Sequence, residues 1–458
     1  MSLKRKLRQI SPDWLVNFYH LARGVVAATL YGFPGRKLRV IGITGTNGKT
    51  TTAHLITSIL QAGGHKVGMA TTVDFQIGDR LIDNNLKMTT VSPFLLQKLL
   101  SQMVKVGCED AVIEVTSIGL DQHRLWGIPF QVAVFTNLTH DHLDYHQTME
   151  KYCQTKEQLF AHRPALSVIN IDDPAAEHFL KHSANRTVTY SLKSNADLVG
   201  KKIYQRAGGT DFVLLARGHQ ASISIPMPGE FNVANALAAA GVGLGLGISL
   251  EEVVEGLRIA NPVPGRMEVI DCGQAFTAIV DYAHTPDALQ KVYETIKPAV
   301  HGKMISVLGA TGQRDKTKRP ILGALAGRYA DYVIVTNEDP YNEDPNTIID
   351  EVAAGVPRGR PLRGRYKVKK AGEEEGDLSF KYKDNGEDIW WWRVPDRKVA
   401  IAKACQMARP QDVVLVTGKG AEKVMAVACP EQGRGSYKLV PFSDRAVLEE
   451  LLQKYQVN

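Results

Sequence analysis

Short β-branched runs separated by longer amphipathic stretches set the plan of this chain. Residues 38–44 (LRVIGIT) carry apolar side chains at both alternating positions, which predicts a strand buried on both faces, as in a parallel sheet. Similar runs lie at residues 110–115, 132–135, 278–281, 304–308, 332–335 and 413–416. Helical stretches between them predict an α/β protein with parallel-rich sheets. Pro262 and Pro264 interrupt a helix near residues 261–264, so a domain boundary is expected there. The reading is an N-terminal helical segment (1–37), a central domain (38–262) and a C-terminal, Rossmann-like domain (263–458).

The first segment starts a helix at Ser11-Pro12-Asp13, with Ser11 as cap and proline at the first helical position. Trp14, Phe18, Leu21, Val25 and Ala28 recur at three and four residues, a helical stripe. Gly32-Phe33-Pro34-Gly35 ends it. The segment is too short and interrupted to span a bilayer. Its stripe is expected to pack on the next domain. The alternative is a peripheral membrane contact, with the basic run from Lys4 to Arg8 at the headgroups.

Composition narrows the classes. A chain of 458 residues exceeds one core and favours two or three domains. Its 44% apolar and 22% charged content is that of a soluble globular protein. The net charge of +7 is not clustered with aromatics, so no nucleic-acid partner is expected; anionic nucleotides account for it. Cys108, Cys153, Cys272, Cys405 and Cys429 are scattered, with no CxxC pair and no zinc spacing. Reduced thiols in a cytoplasm follow. A monomer is expected.

The chemistry begins where the first strand ends. Gly45-Thr46-Asn47-Gly48-Lys49-Thr50-Thr51-Thr52 leads into a helical stretch. Strand, glycine loop and helix form the context of a phosphate-binding loop. Glycines let backbone amides approach phosphate oxygens, and the helix N-terminus adds positive partial charge. Lys49 brings a point charge to the phosphates, and the Thr50 hydroxyl suits Mg²⁺. The strict GxxxxGK(S/T) spacing fails, because Ile43 stands where its first glycine belongs.

Two further strand ends carry candidates. Glu114 closes the 110–115 run, and a carboxylate there is costly unless paired or metal-bound. After residues 132–135 comes Thr136-Asn137-Leu138-Thr139-His140-Asp141-His142, continuing to His146. Ligands of open α/β sheets gather beyond the carboxyl ends of strands. Phosphate chemistry favours Mg²⁺ with oxygen ligands and one imidazole over zinc. His142 is the expected ligand; His140 and His146 read as surface or supporting polar groups.

These strings resemble the Mur ligase family, in the branch that adds the third residue of the peptidoglycan stem peptide. GITGTNGKTTT, EVTSIGLDQHR and FTNLTHDHLDYH carry the resemblance. PGEFNVAN (228–235), PGRME (264–268), DYAHTPDA (281–288), GATGQRDK (309–316), NEDP (337–340), GKG (418–420) and SDR (443–445) follow in order. The resemblance implies an ATP-dependent, ADP-forming ligase with a P-loop central domain. It implies phosphate contacts from the 45–51 loop, Gly45 to Thr51, and Mg²⁺ at Thr50, Glu114 and His142. Lys156 reads from spacing alone as a solvated helix lysine. The resemblance makes it a carbamylated lysine that helps hold a second Mg²⁺. Asn232 and Asn235 match adenine contacts; Arg266, Asp281 and His284 match nucleotide contacts from the C-terminal domain. Thr89, Thr90, Ser117, Gln122 and Arg124 match muropeptide positions. Asp339, Pro340, Tyr341, Gly418 and Glu422 match positions for the incoming amino acid. ATP is expected between the domains, with closure gating the reaction.

Departures qualify the resemblance. About forty residues precede the loop, too few for the family's uridine-nucleotide domain, so a UDP-linked substrate is not implied. Enzymes selecting meso-diaminopimelate show Asp-Asn-Pro-Arg; here Glu338-Asp339-Pro340-Tyr341 lacks the arginine. Tyrosine cannot form a bidentate pair with a distal carboxylate, so lysine or another amino acid fits equally. Ala421 replaces the histidine of Gly-Lys-Gly-His-Glu. Residues 361–392 look inserted and charge-rich, a solvated loop or hairpin. Asn385-Gly386 predicts its turn, and Trp390, Trp391 and Trp392 are expected to pack it.

Other readings remain. A relative acting on a lipid-linked or nucleotide-free muropeptide, with an amidase partner, would carry a four-cysteine zinc insert that is absent here. A folylpolyglutamate-type ligase is a second alternative. A non-catalytic nucleotide-binding scaffold is a third, opposed by Lys49, Thr50, Glu114, His142, Lys156, Arg266 and Asp281 together.

Overall fold

The apolar runs are strands in the structure, a computed structural model that describes residues 12–182, 184–206, 208–216, 218–357, 378–384, 387–429, 431 and 436–455. The chain divides into two compact units, with the division after Val263.

The first unit opens with helix α1 (Asp13–Leu30), strand β1 (Arg39–Thr44), α2 (Lys49–Ala62), β2 (Val67–Ala70), β3 (Asp74–Ile77) and β4 (Arg80–Asp83). Then come α3 (Pro93–Lys105), β5 (Asp110–Glu114), α4 (Ser117–Asp121), β6 (Phe130–Phe135), α5 (Leu143–His146) and α6 (Met149–Ala161). It closes with β7 (Leu166–Asn170), α7 (Ala176–Leu180), β8 (Arg186–Ser191), β9 (Leu198–Arg206), β10 (Gly209–Ala216), β11 (His219–Ile225), α8 (Glu230–Gly245) and α9 (Leu250–Arg258). Among the described residues one sheet runs β11-β10-β9-β8-β7-β6-β1-β5-β2-β3-β4. The central strands are parallel, and antiparallel hairpins close both edges. β1 lies between β5 and β6, so all three of their carboxyl ends are adjacent. The sheet buries one face against α2, α8 and α9 (Ile41, Ile56, Val112, Leu237, Val253). The other packs α3 and α6 through Leu100, Ile113 and Phe160.

α1 departs from expectation in two ways. Pro12 precedes the helix with an extended ψ of 145° instead of occupying its first turn, and the predicted Ser11 cap lies outside the described residues. The stripe packs only from its middle onward. Ala27 and Ala28 are buried, and Gly24 sits against the His123 carbonyl and Trp126. Trp14 and Phe18 are 70% and 62% exposed. No helix among the described residues is long and apolar enough to cross a membrane.

The second unit holds β12 (Glu268–Ile270), β13 (Thr277–Asp281), α10 (Pro286–Ile296), β14 (Met304–Leu308), α11 (Lys318–Tyr329), β15 (Tyr332–Thr336) and α12 (Pro345–Ala353). β16 (Leu378–Asp384), β17 (Glu387–Val394), α13 (Arg397–Met407), β18 (Val413–Thr417), β19 (Val424–Ala428), β20 (Tyr437–Pro441) and α14 (Asp444–Tyr455) follow. Its main sheet runs β12-β13-β18-β14-β15-β17-β16 among the described residues, parallel through the middle. β16 and β17 form an antiparallel hairpin with Asp384 opposite Glu387; its Asn385-Gly386 turn and residues 361–377 lie outside the described residues. β17 also pairs with β15, placing Trp390, Trp391 and Trp392 opposite Tyr332, Val333 and Ile334. The tryptophan strand therefore extends the sheet of this unit, and Trp391 is buried. α13 and α14 are tied by a buried pair: Arg397 donates two hydrogen bonds of 2.7 Å to Asp444.

Candidate active site

The loop after β1 is shaped by two glycines. Gly45 has φ 146° and Gly48 φ 87°. A Cβ on Gly45 would meet Thr136 Oγ1 at 1.9 Å, and one on Gly48 would meet Asn235 Oδ1 at 2.3 Å. Only glycine satisfies both the backbone and the space. The loop is laced to the segment after β6. Thr136 Oγ1 donates to the Asn47 carbonyl at 2.7 Å. Asn137 accepts from the Asn47 amide at 2.9 Å and donates back to its carbonyl at 3.0 Å. Thr46 N donates to the Asn137 carbonyl, and Thr139 N to the Thr46 hydroxyl. Gly48 then starts α2, whose first turn contains Lys49 and the buried Thr50 and Thr51.

Lysine chemistry concentrates at one carbonyl. Lys49 Nζ donates to Gly45 O at 3.1 Å and to Thr46 O at 2.8 Å. Lys156, from α6, donates to the same Gly45 O at 2.8 Å. Lys156 is only 1% exposed, which overturns the solvated-lysine reading drawn from spacing alone. Burial, and then the charge of Lys49, hold its amine well below the ordinary lysine value. Its Nζ lies 4.6 Å from the Tyr152 ring. Tyr152 also meets the Thr46 hydroxyl at 3.3 Å, and the His142 and His146 rings at 6.1 and 5.2 Å.

Glu114, at the end of β5, is 1% exposed. Its carboxylate accepts from the Thr72 amide at 3.2 Å and the Thr72 hydroxyl at 2.9 Å. Thr72 in turn reaches the Thr89 hydroxyl. Thr90 donates to the Glu114 carbonyl at 3.0 Å, and its own carbonyl accepts from Arg124 at 2.6 Å. Gln122 accepts from the same guanidinium. Burial lowers the Arg124 value. Of the residues matched to a muropeptide, Thr89, Thr90, Gln122 and Arg124 thus form one connected set beside Glu114.

After β6, His142 takes a left-handed backbone at φ 54° and its Nε2 lies 3.4 Å from Asp141 Oδ2. His140 is exposed. His146 is not a surface group: it is buried, with Nε2 2.9 Å from Ser117 Oγ. Burial lowers its value first, and Lys156 adds to that. Asn232 and Asn235 stand behind the loop. Asn235 donates to Asn232 Oδ1 at 3.1 Å and accepts from the Thr52 hydroxyl at 3.4 Å, and Asn232 donates to the Pro228 carbonyl. Their amides hold α8 against the loop.

The donor set suits hard cations. A buried carboxylate accepting only from neutral threonine groups, a threonine hydroxyl and one imidazole favour Mg²⁺ over softer metals.

In the second unit, Asp281 at the end of β13 is buried and accepts from the Met267 amide at 2.7 Å and the Ala283 amide at 2.6 Å. Burial pushes its carboxyl up, against the pull of Arg266 and those amides. Arg266 stacks on Tyr282 at 4.3 Å, and His284 Nδ1 lies 2.9 Å from the Tyr282 carbonyl. A second cluster surrounds Asp339. Fully buried Lys419 reaches both Asp339 oxygens at 3.3 Å and Glu422 at 3.0 Å. Gly312 N donates to the Asp339 carbonyl, under Pro340, whose carbonyl leaves Gly312 no room for a Cβ. Glu338 Oε1 accepts from Thr311, while its buried Oε2 faces Gly418 without a hydrogen bond. Burial, with Asp339 beside it, raises Glu338. Tyr341 has φ 54°, and burial pushes its hydroxyl up to about 12.

Tyr152, Thr72, Lys419 and Glu338 were not singled out from sequence. Tyr152 precedes Lys156 by four residues, so helical spacing would have found it. Thr72 offers no such signal, since its role arises only because β2 ends beside β5.

Comparison with known proteins finds matches over both units. The Mur ligase middle domain model matches residues 43–243, and the Mur ligase, glutamate ligase domain model matches residues 265–420. A Bacillus cereus protein named UDP-N-acetylmuramoyl-L-alanyl-D-glutamate–2,6-diaminopimelate ligase is 37% identical over 449 residues, covering 96% of this chain and 83% of that protein. A Roseiflexus UDP-N-acetylmuramyl-tripeptide synthetase is 40% identical over 419 residues, 88% and 77% of the two chains. A solved diaminopimelate ligase structure has 30% identity and TM-score 0.59, covering 92% of this chain and 79% of that one. Mycobacterium tuberculosis folylpolyglutamate synthase shares the fold at TM-score 0.66 and 20% identity, covering 87% and 92%.

Proposed function

As a member of the Mur ligase family this chain is an ATP-dependent, ADP-forming ligase, and we propose that it joins an amino acid to a muropeptide carboxylate in peptidoglycan precursor synthesis. What supports the reading most is the meeting of Lys49 and Lys156 at the Gly45 carbonyl, with Glu114 ending the strand next to β1.

A carboxylate is a poor electrophile. Transfer of the ATP γ-phosphoryl group to its oxygen makes an acyl-phosphate and ADP. The amino group then attacks the acyl carbon, loses a proton and expels phosphate. ATP and the acceptor carboxylate are both anionic, so catalysis of the phosphoryl transfer is chiefly positioning and charge neutralisation. Backbone amides of the 45–50 loop and Lys49 hold the β and γ phosphates. Thr50, Glu114, His142 and carbamylated Lys156 are the proposed holders of two Mg²⁺ ions, which when bound offset the phosphate charge. Asn232 and Asn235 keep the loop in shape on the adenine side. Arg266, Asp281 and His284 are the further proposed nucleotide contacts. Thr89, Thr90, Ser117, Gln122 and Arg124 serve the muropeptide, and Asp339, Pro340, Tyr341, Gly418 and Glu422 the amino acid. Use of ATP puts the reaction in the cytoplasm.

A phosphate-release assay tests this. UDP-linked muropeptide, nucleotide-free muropeptide and lipid-linked precursor are each offered with a panel of amino acids. Release that needs both a muropeptide and an amino acid is expected. Turnover with folates alone would reject the peptidoglycan reading.

A further inference from the structure

Away from the phosphate loop, α6 and α7 bring together a second set of metal-ligand side chains. Cys153 and Glu157 are four residues apart on α6; His178 and His182 are four apart on and just after α7. Four-residue spacing puts Cys153 and Glu157 on one face of α6, and His178 and His182 both approach that face. Cys153 Sγ lies 3.6 Å from Glu157 Oε1, and His178 Nδ1 lies 3.0 Å from the same oxygen. His182 Nε2 lies 3.2 Å from Glu157 Oε2. One ligand atom each from Cys153, Glu157 and His178 falls within 4.8 Å of the others.

The chemistry and dimensions suit one ion. Tetrahedral Zn²⁺, with bonds of about 2.0–2.3 Å, holds neighbouring sulfur, nitrogen and oxygen ligands roughly 3.3–3.6 Å apart. Thiolate and imidazole donors select zinc over Mg²⁺. Glu157 is the geometric centre of the group, since thiol and both imidazoles converge on its two oxygens. Cys153 is 3% exposed, while the His178 and His182 side chains are 44% and 27% exposed, which leaves an entry path from solvent. The cysteine pattern alone hides such a site, because only one ligand is a cysteine and the imidazole comes from a separate segment.

We propose that Cys153, Glu157 and His178 form a zinc site that ties α6, the helix carrying Lys156, to α7, with His182 holding the far oxygen of Glu157. Binding replaces the thiol proton, which is released to solvent, by a Zn–S bond; no redox change is involved. The site is distinct from the Mg²⁺ positions proposed at Thr50, Glu114, His142 and Lys156, and does not depend on that assignment.

Cobalt substitution of the full chain tests it. Co²⁺ bound to a thiolate gives an intense near-ultraviolet charge-transfer band, which oxygen and imidazole ligands do not. The expected result is this band, titrating to one equivalent and displaced by Zn²⁺. It persists in His142→Ala and is lost in Cys153→Ser. Zinc affinity in His178→Ala, at a half-exposed position that does not threaten folding, should fall by at least the roughly 10–100-fold attached to outer-shell partners. Absence of the band in the unaltered chain, its survival in Cys153→Ser, or unchanged zinc affinity in His178→Ala would overturn the proposal and leave Glu157 as a hydrogen-bond partner of two imidazoles.

Discussion

Lys49 and Lys156 both donate to the Gly45 carbonyl oxygen, and the charge of Lys49 adds to burial in lowering the Lys156 value. Lys49→Ala removes the charge expected at the phosphates. Amino-acid-stimulated ADP release should fall at least about a hundredfold, the scale of losing one preorganised charge donor; unchanged release would reject the loop as the ATP site. Lys156 carries the pH dependence. Its folded value is lowered by burial and by Lys49, so the neutral amine persists at lower pH than in an exposed lysine. Carbamate forms from the neutral amine and CO₂ with loss of a proton, so its extent should rise as pH passes upward through that lowered value. Carbon-13 NMR of the chain in labelled bicarbonate reads this directly, and Lys156→Ala should abolish the carbamate signal together with most activity. In the site proposed for the amino acid, Tyr341 takes the position at which the resemblance expects an arginine for a distal carboxylate. Tyr341→Arg should raise kcat/KM for meso-diaminopimelate relative to lysine by about tenfold or more, the worth of a charge-assisted pair. An unaltered ratio would remove Tyr341 from amino-acid selection.

Elements decide which residues meet. The order β6-β1-β5 puts three strand ends side by side, and the phosphate loop, Glu114 and the His142 segment follow from that. The loop depends on α8 as well, since Asn235 fills the space beside Gly48 that a side chain would need. Gly48→Ala should therefore cost about 1–2 kcal/mol from backbone strain alone, with more from the displaced Asn235. Thermal unfolding and ATP-analogue affinity should fall together; loss of neither would mean the loop tolerates a Cβ. The strands themselves were legible, because both-face burial leaves a continuous β-branched run. The hairpin expected in the charge-rich stretch is there as the antiparallel pair β16 and β17. Only its register against β15 was not legible, since parallel pairing joins segments distant in sequence and leaves no local pattern. α1 shows the opposite limit. Its stripe is periodic throughout, yet only the part from Leu21 onward finds a partner surface, and periodicity carries no information about what stands opposite.

At the scale of the molecule, each unit has its own sheet and core. The Arg397–Asp444 pair belongs to the second alone. Burial opposes the Arg397 charge, but Asp444 outweighs it and holds the guanidinium above its ordinary value. Arg397→Met strands the Asp444 carboxylate and should destabilise that unit by about 3–5 kcal/mol. Hydrogen exchange should speed up across residues 264–455 and leave residues 39–260 protected; equal loss in both would mean the two units unfold as one. The sequence by itself determined the strand and helix plan, the phosphate loop and the family, because periodicity and contiguous motifs are local. Tertiary structure alone decided that Lys156 is buried rather than solvated, that His146 is sequestered on Ser117, that Thr72 satisfies Glu114, and that Cys153 meets His178. Each of these needs two distant segments to close on each other, and the burial and electrostatics that result are properties of the closed space, not of either segment.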